Sequence, residues 1–128
     1  MSQSTLIAVD LAKEVFQVAL ARRHGKAFAH HRLTRKKFEQ FLAKADRGIV
    51  LFEACGSAHF WGRHAREFCH QPIMLPAQFV RKYRLRYKTD QIDTEALIDA
   101  YRSGRVDPVP VRSVDQQQIQ QLHRVREQ

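Results

Sequence analysis

Four carboxylates stand where acidic side chains are unusual. Asp10 ends the apolar run IAVD and Glu53 ends the run VLFE, while Asp90 and Asp93 lie three residues apart in KTDQID. An acid that ends a buried strand is costly without a partner, and clustered carboxylates resist joint ionisation unless a cation compensates them. Mg²⁺ prefers such oxygen ligands, and two ions about 3.5–4 Å apart can bind the attacking and leaving oxygens of phosphoryl transfer. The four acids therefore predict a divalent-metal site for phosphodiester chemistry.

A simpler explanation exists for the last two acids. Asp90 has the residue type of a helix N-cap, and Asp93 would then favour the positive end of the helix dipole. Taken alone, these two are better explained as capping residues. Asp10 and Glu53 have no such explanation, so the predicted metal site rests mainly on them.

The chain is strongly basic, with 22 Lys and Arg against 13 Asp and Glu and a formal net charge of +9 over 128 residues. This excess favours nucleic acid or an anionic membrane surface as the partner. No apolar stretch approaches the roughly 20 residues that span a bilayer, and the N-terminus lacks the basic start of a signal peptide. We therefore expect one domain, or one domain with an appendage, in the cytoplasm and without a membrane partner.

The cysteine and histidine residues do not predict a metal site of their own. Two cysteines make no disulfide scaffold and are expected as reduced thiols of a cytosolic protein. A zinc site would have to join residues whose spacing fits no standard zinc pattern, and ordinary helix positions explain them better. These residues are Cys55, His59, His64, Cys69 and His70.

Apolar patterning and turn residues predict the order of the elements. The strands are expected at Thr5–Asp10, Glu14–Arg23, Ala27–Leu33, Ile49–Glu53 and Gln71–Leu75, with a turn at His24-Gly25-Lys26. Helices are expected from a Thr34 cap to Ala45 with Phe38, Phe41 and Leu42 inward, from a Ser57 cap to about Cys69 with Phe60, Trp61, Ala65 and Phe68 inward, and over Asp90–Ser103 with Ile92, Ala96, Leu97 and Tyr101 inward and Gly104 after it. Ala77–Lys88 shows no clear period, Val106–Ser113 is expected to be extended, and a further helix starts at Asp115.

Three antiparallel strands followed by α-β-α-β-α is the order of a ribonuclease-H-like α/β domain, with a mixed five-stranded sheet and flanking helices. In such a sheet the first and fourth strands are neighbours, about 4.8 Å apart. Asp10 and Glu53 would then converge at one edge of the sheet. Asp90 and Asp93 would share one helix face beside them.

The segment RKYRLRYK interleaves basic and aromatic residues directly before the acid pair. Cationic side chains contact phosphates, and tyrosine rings stack on unpaired bases. A charge run is usually a solvated face, but this position favours nucleic-acid contact. The candidate residues are Arg81, Lys82, Tyr83, Arg84, Arg86, Tyr87 and Lys88. The amides of Gly56 and Ser57 after Glu53 suit a phosphate or plain capping equally well.

Four blocks of the sequence resemble, in order and spacing, the DEDD transposases of bacterial insertion sequences. They are IAVDLAKEVFQVAL, LFEACGSAHFWGR, KYRLRYKTDQIDTEALIDA and VPVRSVDQQQIQQLHRVREQ, and the resemblance that they mark extends over nearly the whole chain. The resemblance implies a RuvC-like N-terminal domain of a bridge-RNA-guided recombinase, in which Asp10, Glu53, Asp90 and Asp93 bind Mg²⁺, with Mn²⁺ as a substitute. It also implies DNA and a structured guide RNA as partners, with base pairing supplying the sequence specificity.

The resemblance further implies that this chain holds half of an active site. In the family, strand exchange also uses a serine nucleophile of a separate C-terminal domain, reached through a coiled coil that would join protomers of the full-length protein. We expect residues 1–105 to form the RuvC-like domain, 106–114 a linker and 115–128 the start of that coiled-coil helix. The chain looks like an N-terminal fragment or a truncated product, acting at the bacterial nucleoid. Alone, it is expected to bind nucleic acid without completing transposition.

Two other functions remain open. A stand-alone, resolvase-like, structure-specific endonuclease would cut branched DNA with Mg²⁺ and would be abolished by Asp10→Asn. A non-catalytic RNA-binding module, whose acids are caps and structural ion pairs, would show the same RNA affinity and thermal stability with and without Mg²⁺ or Mn²⁺.

Overall fold

A computed structural model describes residues 5–12, 14–84 and 92–119, apart from the side chain of Ile92. Five strands and four helices are defined in these ranges, and residues 114–119 are helical as well. The elements are β1 Thr5–Asp10, β2 Val15–Ala21, β3 Ala29–Thr34, α1 Arg35–Lys44, β4 Gly48–Glu53, α2 Gly56–Glu67, β5 Gln71–Leu75, α3 Ala77–Arg84 and α4 Ile92–Ser103.

The five strands form one mixed sheet in the order β3-β2-β1-β4-β5. Strands β1, β2 and β3 are antiparallel neighbours, whereas β4 and β5 run parallel to β1. The predicted α/β architecture and the predicted adjacency of the first and fourth strands are confirmed. Since Val9 pairs with Phe52, the next residues, Asp10 and Glu53, end neighbouring strands at the same edge.

The central strands are apolar on both faces because helices cover both. Ile7 and Val9 pack with α1 and α2 residues in one buried cluster, and Leu6 and Ala8 pack with α4 residues in the other. Side chains alternate along a strand, so Asp10 shares the α4 face with Leu6 and Ala8. Glu53 shares that face with Leu51 in the same way. The alternation therefore directs both acids toward α4.

The first two helices differ from the sequence expectation in one cap and one buried position. Thr34 caps α1 as predicted, its hydroxyl accepting a hydrogen bond from the Lys37 amide at 3.2 Å. The prediction of Ser57 as the cap of α2 was wrong, because α2 begins at Gly56 and its N-cap is Cys55, whose side chain makes no capping bond. Phe60, expected inward, is 52% exposed, since the buried stripe of α2 runs through Ala58, Trp61 and Ala65.

The basic segment before the acid pair contains a helix that its sequence did not reveal. Residues 77–84 form α3, whose amides of Phe79 and Val80 donate to the Pro76 carbonyl. Val80 is its one fully buried side chain, with Tyr83 packed beside the same cluster. Two apolar positions three residues apart are too few to show a helical period in a sequence. Contact with α4 stabilises this short helix instead.

The residues after α4 are extended as predicted but are attached to the domain. Gly104 has φ +69°, in agreement with its predicted place after the helix. The Val109 amide donates to the Met74 carbonyl at 2.8 Å, which adds one antiparallel bridge beside β5. The Arg112 amide donates to His59 Nδ1 at 3.0 Å. Burial lowers the pKa of His59, and the neutral ring keeps Nδ1 as an acceptor. Residues 106–113 therefore lie on β5 and α2.

A buried histidine, His70, lies at the end of the sheet opposite Asp10 and Glu53. His70 Nδ1 accepts from the Gly48 amide at 3.1 Å, and Nε2 lies 2.8 Å from the Leu42 carbonyl oxygen. The pairing defines the neutral tautomer with the proton on Nε2. Both ring nitrogens are thereby used by the backbone, at the opposite end of β4 from Glu53.

Gly48 at this end is expected to tolerate no side chain. A Cβ at this position would lie 2.6 Å from the Thr5 carbonyl oxygen, which the β1–β4 pairing holds in place. We expect Gly48→Ala to lower the free energy of unfolding by about 2–3 kcal/mol, as overpacking of a rigid site does. The measurement is urea denaturation followed by circular dichroism.

Gly56→Ala is the matched control for this substitution. No atom lies within 4 Å of a Cβ added there, at the start of α2. This variant is expected to stay within about 0.5 kcal/mol of the unmodified chain or to exceed it. Equal losses for the two variants would contradict the close β1–β4 approach at Gly48.

Candidate metal centre

Three of the predicted acids meet at the carboxyl ends of β1 and β4. Asp10 and Glu53 reach this edge on the face covered by α4, and the first turn of α4 carries Asp93. The three line one cavity of about 240 Å³. Its walls are formed by Val9, Asp10, Leu11, Glu53, Cys55, Arg84, Asp93 and Leu97. The three acids thus lie at one cavity, and their assignment as metal ligands stays a prediction.

Arg84, the last residue of α3, reaches into this cluster. Its Nη2 donates to Glu53 Oε2, and its Nε lies 2.6 Å from Asp93 Oδ1. One guanidinium therefore joins carboxylates from β4 and α4. The sequence assigned Arg84 to a nucleic-acid surface and missed this contact. The only signal was its spacing of four residues from Val80, which places both on one face of α3 once that segment is known to be helical.

The environment of Asp10 disfavours its charged form. Burial, and next the charge of Asp93 and a hydrogen bond with it, raise the pKa of Asp10 to about 6. The charge of Glu53 acts in the same direction, and Arg84 opposes it. A carboxyl group placed among other acids in this way is stabilised in its ionised form by an added cation. The electrostatics therefore fit a cation site.

The donor set also fits a hard divalent cation. All three acids offer carboxylate oxygens, and one guanidinium leaves two of three ionised carboxylates uncompensated. Over residues 5–12, 14–84 and 92–119, however, no three acidic, histidine or cysteine side chains are already gathered around a single point. Arg84 lies between Glu53 and Asp93 instead. An ion would be held by Asp10, Glu53 and Asp93 only after this guanidinium moves away.

The remaining candidate residues fall into two groups. Asp90, Arg86, Tyr87 and Lys88 lie outside the described residues. Arg81 and Lys82 are exposed on α3, with Lys82 Nζ 5.4 Å from the centre of the Phe79 ring. Tyr83 is half-buried against the cluster under α4. The described part of the basic segment thus presents two exposed cations on the helix that ends at Arg84.

The cysteine and histidine residues are dispersed in the fold. His59 and His70 each make hydrogen bonds with backbone groups. His64 Nε2 lies 3.3 Å from Glu39 Oε2, and its Nδ1 lies 3.5 Å from Glu67 Oε2. Cys55 and Cys69 are free and exposed. Separately, no helix in the described part of the chain is long and apolar enough to cross a membrane.

Comparison with known proteins gives the family. The profile of the IS110-type DEDD transposases, described as a transposase, matches residues 7–128. A probable family 20 transposase of Pseudomonas aeruginosa is 40% identical over 120 residues, which cover 94% of this chain and 36% of that protein. The transposase for insertion sequence element IS1328 of Yersinia enterocolitica is 38% identical over 127 residues, covering 99% of this chain and 38% of that protein.

A third relative agrees with these two. The transposase for insertion sequence element IS1111A of Coxiella burnetii is 29% identical over 127 residues, which cover 99% of this chain and 35% of that protein. The chain thus spans little more than a third of the length of the curated relatives it matches. The match of the family profile extends over almost every residue of the chain. The chain belongs to the IS110-type family of DEDD transposases.

Proposed function

We propose that this chain is the metal-binding half of a transposase active site that cleaves and exchanges DNA strands. The observation that carries the proposal is the meeting of Asp10, Glu53 and Asp93, from three separate elements, in one cavity. Family membership supports it, because relatives that match the whole chain are named transposases of insertion sequences. We assign Asp90 as the fourth acid of the set from its place three residues before Asp93.

The cation we infer is Mg²⁺, with Mn²⁺ as a substitute. When bound, it would supply positive charge to the phosphate oxygens on which charge develops during strand cleavage. The protein contributes the orientation of the ligands, since β1 and β4 hold Asp10 and Glu53 at one sheet edge and α4 holds Asp93 above it. Leu97 of α4 also lines the cavity.

The basic surface beside the cavity suits a nucleic-acid backbone. Arg81 and Lys82 project from α3 into solvent, and the chain as a whole carries a formal charge of +9. We infer contacts with DNA and with a structured guide RNA, extended by Arg86, Tyr87 and Lys88. Base pairing by the RNA would supply the sequence specificity, and the protein would hold phosphates. Such contacts are salt-dependent because each one releases counterions.

A second half of the active site would complete the enzyme. Since the chain spans about a third of its relatives' length, we assign the serine nucleophile and the coiled coil that joins protomers to a further part of such a protein. In that arrangement residues 114–119, which are helical, would be the start of the coiled-coil helix. The complete protein would act at the nucleoid in the bacterial cytoplasm.

The basic surface yields a prediction for binding. Removing two phosphate contacts with Arg81→Ala/Lys82→Ala is expected to weaken binding of a four-way DNA junction and to reduce the slope of log affinity against log salt by about 2. Fluorescence anisotropy between low and moderate salt measures this slope. Arg35→Ala/Lys36→Ala removes the same charge from exposed positions of α1, on the other side of the sheet. Equal slopes for both variants would contradict the assigned surface.

One experiment separates the proposal from its two rivals. The 128-residue chain is incubated with a four-way DNA junction or a structured RNA, with and without Mg²⁺ or Mn²⁺. We expect binding of both nucleic acids, a metal-dependent rise in melting temperature, and no strand exchange. Junction cutting that Asp10→Asn abolishes would assign a stand-alone endonuclease. Unchanged melting temperature and RNA affinity with metal would assign a non-catalytic RNA-binding module.

A further inference from the structure

Arg84 places a positive charge between two acids of the cluster. Of the described residues that line the cavity, it is the only cation. It contacts Glu53 from one side and Asp93 from the other, with 27% of its side chain exposed. One positive charge is thereby shared between two carboxylates without a metal ion. The fold has an internal substitute for the cation that its acids are suited to hold.

The contact of Arg84 with Asp93 is poorly formed as a hydrogen bond. Arg84 Nε is buried and makes no aligned hydrogen bond, although Asp93 Oδ1 lies 2.6 Å away. A guanidinium pairs most strongly with a carboxylate when two parallel N–H bonds point at its oxygens. Here the single guanidinium is divided between two acids on different elements. One hydrogen bond joins the guanidinium to Glu53, whereas its contact with Asp93 depends on charge attraction, and a divalent cation supplies more charge.

The position of Arg84 in the chain would offer its side chain a nucleic-acid phosphate as a second partner. It ends α3, three residues after the exposed Arg81 and two after the exposed Lys82. A phosphate backbone that contacts these two cations passes close to the end of the same helix. An arginine side chain is long, is always charged at neutral pH and pairs well with phosphate. Once displaced from the acids, its guanidinium has a polyanion within reach.

We propose that Arg84 is a positioning residue that competes with the divalent cation for Glu53 and Asp93 and turns to a nucleic-acid phosphate when the cation enters. The proposal rests on the proposed function, since it takes those carboxylates as metal ligands. It makes cation binding and nucleic-acid binding cooperative: phosphate withdraws Arg84 from the acids, and the cation releases it to phosphate. Such coupling is reciprocal by thermodynamic linkage.

The competition predicts that Arg84 weakens Mn²⁺ binding without nucleic acid and that nucleic acid reduces this effect. Arg84→Met removes the competing charge, so the 128-residue chain without DNA is expected to bind Mn²⁺ about tenfold more tightly, within the usual range of such couplings. A four-way DNA junction is expected to tighten Mn²⁺ binding by the unmodified chain about fivefold or more and to leave that of Arg84→Met unchanged. Isothermal titration and the electron paramagnetic resonance of free Mn²⁺ measure these affinities.

Two further variants make the result decisive. Arg84→Lys keeps a cation but has no fork to bridge two carboxylates, so its Mn²⁺ affinity is expected between those of the unmodified chain and Arg84→Met. Arg66→Met, which removes one charge from an exposed position of α2, is expected to change neither affinity nor coupling. Melting curves by circular dichroism check that each variant is folded, and Arg84→Lys gives the answer if Arg84→Met is not.

The outcomes distinguish this proposal from the function on which it rests. If Mn²⁺ binds the unmodified chain and both Arg84 variants with equal affinity, or binds the variants more weakly, the competition is contradicted while the metal site stands. If Mn²⁺ binds none of them above the level of Asp10→Asn, the metal site itself is contradicted. Tighter binding by Arg84→Met with loss of the DNA effect supports the proposal.

Discussion

Replacing Asp10 with asparagine is expected to stabilise the fold at pH 8 and, in the same variant, to abolish stabilisation by divalent cations. Burial and the neighbouring Asp93 raise the pKa of Asp10 to about 6 from 3.8. A carboxyl group whose pKa is higher in the folded than in the unfolded state stabilises the fold at pH values below its unfolded pKa. This contribution is lost as the pH rises through the folded pKa of about 6. Above pH 6, the ionised carboxylate therefore costs stability that the neutral Asn avoids.

The size of this gain follows from the shift. At about 1.4 kcal/mol per pKa unit, the shift would correspond to roughly 3 kcal/mol of unfolding free energy for a fully buried group. Because solvent screens this half-buried group, we expect Asp10→Asn to raise the free energy of unfolding by about 1–2 kcal/mol. That corresponds to a rise in melting temperature of about 3–8 °C for a domain of this size. Urea denaturation at pH 8 and at pH 4 measures the difference, which should shrink at the lower pH. Lower stability of Asp10→Asn at pH 8 would contradict the repulsive cluster.

Glu53→Gln is expected to reduce DNA strand cleavage at least about a hundredfold, since loss of one properly placed charge-stabilising group in an active site has effects of this order. The amide keeps the size of the side chain and an acceptor oxygen for Arg84, so the fold should be retained. What it loses is the negative charge that a divalent cation requires. The substitution therefore separates a ligand role from a structural one.

The assay for Glu53 needs the proposed second half of the active site. A chimera that continues this chain with the remaining length of the Yersinia enterocolitica relative would supply it. Excision of a matched element, followed by quantitative polymerase chain reaction, gives the cleavage yield. Asp46→Asn is the control, because Asp46 is exposed and precedes β4 at the opposite end of the sheet. Unchanged excision by Glu53→Gln would contradict the ligand role.

The parts of the site that lie on strands could be predicted from the sequence. The bounds of β1 and β5 are those predicted, because each is a short apolar run with a clear end, at Asp10 or before Pro76. The convergence of Asp10 and Glu53 followed from the adjacency of β1 and β4 and from side-chain alternation along each strand. Both depend on local pattern and topology, which the order of the elements already indicates.

The missed features depend on tertiary contacts. Helix α3 has two apolar positions that face α4, and nothing in the residue types of 81–88 showed which cation would turn inward. Arg84 differs from Arg81 only in its place on the helix, and its partners lie 31 residues before it and nine after it. The attachment of residues 106–113 likewise combines single backbone bonds of Val109 and Arg112 with packing of Val109 and Val111 against the core. Such contacts leave no periodic signal.

The central claim is that Asp10, Glu53 and Asp93 form one divalent-cation site, and Mn²⁺ titration of the 128-residue chain at pH 7.5 tests it most directly. Isothermal titration is performed on the unmodified chain, on Asp10→Asn, Glu53→Gln and Asp93→Asn, and on the control Asp46→Asn. We predict binding by the unmodified chain and the control and a loss of affinity of at least about tenfold in each of the other three. No binding by the unmodified chain, or equal binding by all five proteins, would contradict the account.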